Sequence, residues 1–96
     1  MIGKLHRRQN HNILAVCDKE HLGKKFEDEK LYFNVSEKFF GNEEITEKEF
    51  LELIKEATSI NLFGNKCVKI AQREGLITET SVIFIKGIKH AQIYQL

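Results

Sequence analysis

The sequence predicts an α+β domain: a two-layer sandwich with a mainly antiparallel sheet and two helices, 46–60 and 62–74, packed on one face. Three observations predict it. Strand-like runs flank short connections at both ends of the chain, Gln9-Asn10-His11 and Gly87-Ile88, the pattern of hairpins. Between them, Thr46-Glu47-Lys48-Glu49 forms a capping box, and apolar residues follow it at helical spacing. The chain is 96 residues long and 42% hydrophobic, which suits one domain over 1–96 with a small core.

The elements follow in order. Residues 2–8 and 12–18 make the first hairpin, around Gln9-Asn10-His11. Ile13, Leu14, Ala15, Val16 and Cys17 show no alternation, so the second strand lies inside the sheet. Residues 18–21 form a turn closed by Gly23. Residues 24–27 and 30–35 form a second extended region, with Leu31, Phe33 and Val35 on one face. Ser36 caps a short helical turn over 37–40 that ends at Gly41. Phe50, Leu53, Ile54, Ala57 and Ile60 then mark the first long helix, and Cys67, Val68 and Ala71 the second, which ends at Gly75. Ala57, Gly64 and Ala71, seven apart, form a small-residue stripe against the sheet, and Asn61 caps the second helix. One bent helix is the alternative. Residues 82–86 and 89–95 close the fold as a hairpin around Gly87-Ile88.

Composition excludes several classes. Lys and Arg number 15 against 14 Asp and Glu, a formal net charge of +1, and proline is absent. That balance excludes collagenous, low-complexity and strongly disordered chains. No stretch reaches the roughly 18–20 apolar residues of a membrane span. The first residues lack the apolar segment of a secretory signal, so the expected location is the cytoplasm, with no membrane partner. Cys17 and Cys67 are far apart, and His6, His11, His21 and His90 show no short ligand pair; reduced thiols and no metal site are expected. There is no P-loop, G-x-G-x-x-G or G-x-x-G pattern, and no cofactor is expected.

Several segments together carry a family resemblance: Ala15-Val16-Cys17-Asp18-Lys19-Glu20 with Leu22-Gly23-Lys24, Val35-Ser36-Glu37-Lys38-Phe39 with Gly41, Lys55-Glu56-Ala57-Thr58, Asn61-Leu62 with Gly64, and Gly87 with His90-Ala91-Gln92-Ile93. In this order and over almost the whole chain, the sequence resembles the archaeal domain of unknown function 424. It departs at Ile88-Lys89, where the family has a Val-Pro pair. The resemblance implies a small cytoplasmic archaeal protein with a two-layer α+β fold, and it implies no activity. An association with RNA or translation is the expectation attached to such small archaeal domains.

The residues offer four candidate sites. If Ala91 and Ile93 face the core, His90, Gln92 and Tyr94 face outward together, and such a row can stack on a base and bond its edges. The same row also suits the polar outer face of an ordinary sheet. Net charge is +2 over residues 1–30, −4 over 31–65 and +3 over 66–96. Lys4, Arg7, Arg8, Lys24, Lys25, Lys86 and Lys89 form one basic patch for RNA phosphates if the end hairpins are neighbours. Asn61, Gly64 and Lys66 could open a helix with free amides and hold an anion. Cys17, with His90 on a nearby strand, makes a thiol enzyme only if a base reaches an accessible sulfur; its apolar run favours a buried, inert thiol. The expectation is a non-enzymatic RNA- or ribonucleoprotein-binding domain associated with translation, monomeric or homodimeric. A small Cys17/His90 enzyme and a protein-interaction module are the alternatives.

Overall fold

The computed structural model of the chain describes residues 1–95. In chain order it comprises strands β1 (Ile2–Arg8), β2 (His11–Cys17), β3 (Lys25–Glu27) and β4 (Tyr32–Asn34), helices α1 (Glu37–Phe40) and α2 (Glu47–Ile54), strand β5 (Ser59–Phe63), helix α3 (Asn65–Arg73), and strands β6 (Ile83–Ile85) and β7 (Ile88–Tyr94). Single 3-10 turns occupy Lys19–His21 and Glu79–Ser81. The main sheet has the order β1-β2-β5-β7-β6, and β3-β4 form a separate two-stranded flap. Three of its ladders are antiparallel, and β2 pairs parallel with β5. That parallel pair requires a long crossover, and the crossover carries the flap, α1 and α2.

The predicted helix 46–60 is corrected. Its capping box is present, with the Thr46 hydroxyl accepting from the Glu49 amide and the Glu49 carboxylate accepting from the Thr46 amide. The helix nevertheless ends at Ile54. The amides of Lys55, Glu56 and Ala57 bond three residues back, which tightens the last turn, and the Thr58 amide then joins the Asn12 carbonyl at 2.8 Å. Residues 59–63 are the middle strand, paired on both sides. Ile60, Leu62 and Phe63 fit helical spacing as well as a strand buried on both faces, and periodicity does not separate the two over so short a run. Asn61 and Gly64 are therefore not helical. The expected stripe Ala57, Gly64 and Ala71 therefore does not run along a helix, and the second helix starts at Asn65 rather than 62. The closing turn is also shifted: Lys86 and Gly87 both take positive φ, as a two-residue hairpin of this hand requires.

Each face of the sheet has its own core. Leu14, Val16, Ile60, Leu62, Ala91 and Ile93 meet Phe50 and Ile54 of α2 and Cys67, Val68 and Ala71 of α3. This is the predicted helical layer. On the other face Ala15, Cys17, Phe63 and Ile85 pack with Val35, Phe40 and the flap residues Phe26 and Phe33. The flap rings stack directly on the sheet, Phe33 on Phe63 at 4.5 Å between centroids.

Candidate functional site

The registers place the side chains of the face opposite the helices in rows that cross the sheet. One row is Ile2, Cys17, Phe63, His90 and Ile83; the next is Lys4, Ala15, Asn61 and Gln92; the third is His6, Ile13, Ser59 and Tyr94; Arg8 and His11 close the sheet at its hairpin end. His90, Gln92 and Tyr94 do share one face, as expected from alternation. They do not share an environment.

The first row is buried from Ile2 to His90, with the flap over Phe63 and His90, and only Ile83 is exposed. His90 is 6% exposed. Its ring packs 4.5 Å from Phe33, and its Nδ1 donates to the Leu62 carbonyl at 2.7 Å. A carbonyl can only accept, so that nitrogen carries the proton. Burial pushes the His90 pKa down, against the pull of that hydrogen bond. The outward stacking histidine is thus corrected: the Phe33 ring covers it. Cys17 is fully buried, and burial, followed by the neighbouring Asp18 charge, raises its pKa to about 12. A thiol held protonated and away from solvent is a poor nucleophile, so the geometry disfavours the Cys17/His90 enzyme.

The proposed anion site is also rearranged. The Lys66 and Cys67 amides at the start of α3 donate to the two oxygens of Asp18, at 2.9 and 3.0 Å. The protein's own carboxylate already occupies the place an external anion would take. Gly64 serves this arrangement, because a Cβ there would fall inside the Asp18 carboxyl group, and its φ of +135° suits glycine. The Asn65 side chain accepts from the Lys89 amide at 2.8 Å. Asp18, Glu20 and His21 bring one ligand atom each within 4.8 Å of one another, the cluster most able to meet a cation. Both Asp18 oxygens are already used by α3.

The remaining rows reach solvent except at Ala15 and Ser59, which are buried. Lys4, Arg8, His11, Gln92 and Tyr94 are exposed, and His6, Ile13 and Asn61 are partly so. Tyr94 is 76% exposed. No residue that the registers place on this half is acidic. At its β1 border a cleft of about 410 Å³ is lined by residues that include Lys4, His6, Arg8, Lys38 and Phe39. His6 stacks on Phe39 at 5.3 Å and donates from Nε2 to the Phe39 carbonyl at 2.7 Å. Its Nδ1 has no hydrogen-bond partner among the described residues.

The expected basic patch separates into four groups. Lys4 and Arg8 lie on the open half-face. Arg7 points to the helical side and pairs with Glu56 at 2.8 Å. Lys24 and Lys25 belong to the flap, and Lys86 and Lys89 to the closing hairpin. The end hairpins are not neighbours, because β5 runs between β2 and β7. Sequence reading overlooked His6, His11 and Lys38. The first was legible, since Lys4, His6 and Arg8 alternate along β1. Lys38 was not, because only the docking of α1 brings it beside β1.

The family described as "Protein of unknown function (DUF424)" matches residues 6–96. A crystal structure of an uncharacterized conserved protein from Methanopyrus kandleri superposes with a TM-score of 0.81, at 23% identity, over 99% of this chain and 90% of that one. That likeness concerns the fold. No curated protein matches the chain. Among the described residues, no helix is long and apolar enough to cross a membrane.

Proposed function

We propose that this chain, which belongs to the DUF424 family of proteins of unknown function, is a non-enzymatic module that binds single-stranded RNA on the open half of its sheet. The observation that supports it most is that, among the described residues, none that the registers place on this half-face is acidic, while the face presents Lys4, Arg8, His6, His11, Asn61, Gln92 and Tyr94. Cations there meet phosphates, amides meet base edges, and the exposed Tyr94 ring supplies a stacking surface. The row from β1 to β7 crosses three strand spacings, about 14 Å, enough for a short stretch of single strand rather than a duplex. The cytoplasm and the RNAs of translation are the setting of this reading, and Cys17 and Cys67 are free thiols, as is usual there.

The test is titration with unstructured RNA, transfer RNA and ribosomal RNA fragments across salt concentration. Two phosphate contacts on a single strand, by Lys4 and Arg8, give a log–log slope of about −1.4. Binding that is absent at about 50 mM salt, or indifferent to salt, rejects the reading.

A second reading rests on the edge of β7. The three residues of β6 pair only with Ile88–His90, so the backbone groups of Gln92 and Tyr94 on that side have no strand neighbour. Exposed Ile83 and Phe84 lie beside this edge. A protein-interaction module would use it to add a strand, and a second copy would do so in a homodimer. Light scattering across dilution separates monomer from dimer.

A further inference from the structure

Two elements distant in sequence converge on the cleft beside β1. Lys4 and Arg8 come from β1, and Lys38 and Ser36 from α1 and its cap. The Lys4 stem is held in place: Gly41, at φ +77°, leaves room for it, and a Cβ there would press on the Lys4 Cβ at 3.2 Å. The Ser36 oxygen accepts from the Lys38 amide at 3.1 Å, which leaves its O–H free to donate outward. His6 and Phe39 form one wall as a stacked pair. Among the described residues Lys4, Arg8 and Lys38 make no ion pair. The nearby carboxylate, Glu37, lines the adjoining cavity with Lys4 and Lys38 and accepts from the Asn42 side-chain amide at 3.1 Å.

Three free cations and a hydroxyl around one cleft exceed what an internal phosphodiester uses, since it carries one charge and two free oxygens. A phosphate monoester carries about −1.5 to −2 charge near neutral pH and three acceptor oxygens. We infer that this cleft seats a terminal phosphate monoester of the bound nucleic acid, with Lys4, Arg8 and Lys38 as its ligands. The inference rests on the RNA reading and adds an anchor and a register to it: the end of the strand sits at β1, and the following nucleotides run across Asn61 and Gln92 toward Tyr94.

The experiment compares one short unstructured RNA prepared with a phosphate at its 5′ end, at its 3′ end, and with hydroxyls at both. One phosphorylated form should bind about tenfold more tightly than the hydroxyl form at low salt. Lys38→Ala should abolish that advantage, and Lys25→Ala on the flap should leave it intact. Equal affinity for all three RNAs overturns the inference and leaves the RNA reading standing. An advantage that survives Lys38→Ala overturns it too, because the phosphate then sits elsewhere. No binding of any form overturns both. Circular dichroism of the variants confirms that these surface changes leave the fold intact.

Discussion

On the face opposite α2 and α3, the row Ile2, Cys17, Phe63 and His90 is buried beside the aromatic flap, while the rows beginning at Lys4 and His6 reach solvent everywhere but at Ala15 and Ser59. The strands are the same and the alternation is the same. His90 and Tyr94 even share one side of one strand, yet one is core and the other is the most exposed large ring. Alternation assigns a side chain to a face, and a separate element then decides whether that face meets water. Here the deciding element is a flap of two three-residue strands, packed through Phe26 and Phe33.

The largest expected break in this comparison is Phe63→Ala. It removes the ring on which Phe33 stacks and should cost about 3–5 kcal/mol in denaturant unfolding. Tyr94→Ala on the open half should cost about 0.5 kcal/mol or less. Equal losses at both positions would show that the two halves do not differ in kind. Asp18→Asn comes next. It removes the carboxylate that receives two α3 amides in a buried site, and about 1–3 kcal/mol should be lost.

The covered half should also titrate differently. Because burial lowers the folded pKa of His90, the unfolded chain takes up that proton first as pH falls below about 6.5. More protons on the unfolded state mean that stability falls with falling pH, by at most about 1.4 kcal/mol per unit from this group. His90→Gln should flatten the slope between pH 7 and 5, as read from urea midpoints. Cys17 acts at the other end. Its folded pKa of about 12 lies above the ordinary value of 9.0, so stability should decline as pH rises through 9 while the unfolded thiol ionises. Native Cys17 should resist alkylation at pH 8 and react only in denaturant. The smallest effect belongs to Arg7→Ala, whose ion pair with Glu56 is exposed; less than about 1 kcal/mol is expected.

Much of the frame was legible in the sequence. The first hairpin, the Ser36 cap, the capping box at Thr46 and the closing strands follow from local chemistry that tertiary contacts did not override. The middle strand was not legible, because every residue of Ser59–Phe63 but Asn61 is buried, on both faces, and the run so loses the period that marks a strand. The candidate site was half legible. Lys4, Arg8, Gln92 and Tyr94 come together through strand periodicity and register. His90 left the site because the flap closes over it, and Lys38 entered because α1 lies on β1; both depend on packing between segments distant in sequence. The anion site failed for a related reason, since Asp18, 48 residues before Lys66, reaches the helix first.

The most direct test of the comparison is the affinity for unstructured RNA, across salt, of two double variants. Lys4→Ala with Arg8→Ala alters the open half-face, and Lys24→Ala with Lys25→Ala removes equal charge from the flap. The open-face variant should lose at least about tenfold in affinity at low salt and flatten the salt slope by about 1.4, the flap variant changing little. Equal losses in the two variants would mean that net charge alone governs binding, and would contradict the assignment of the site to the open half of the sheet.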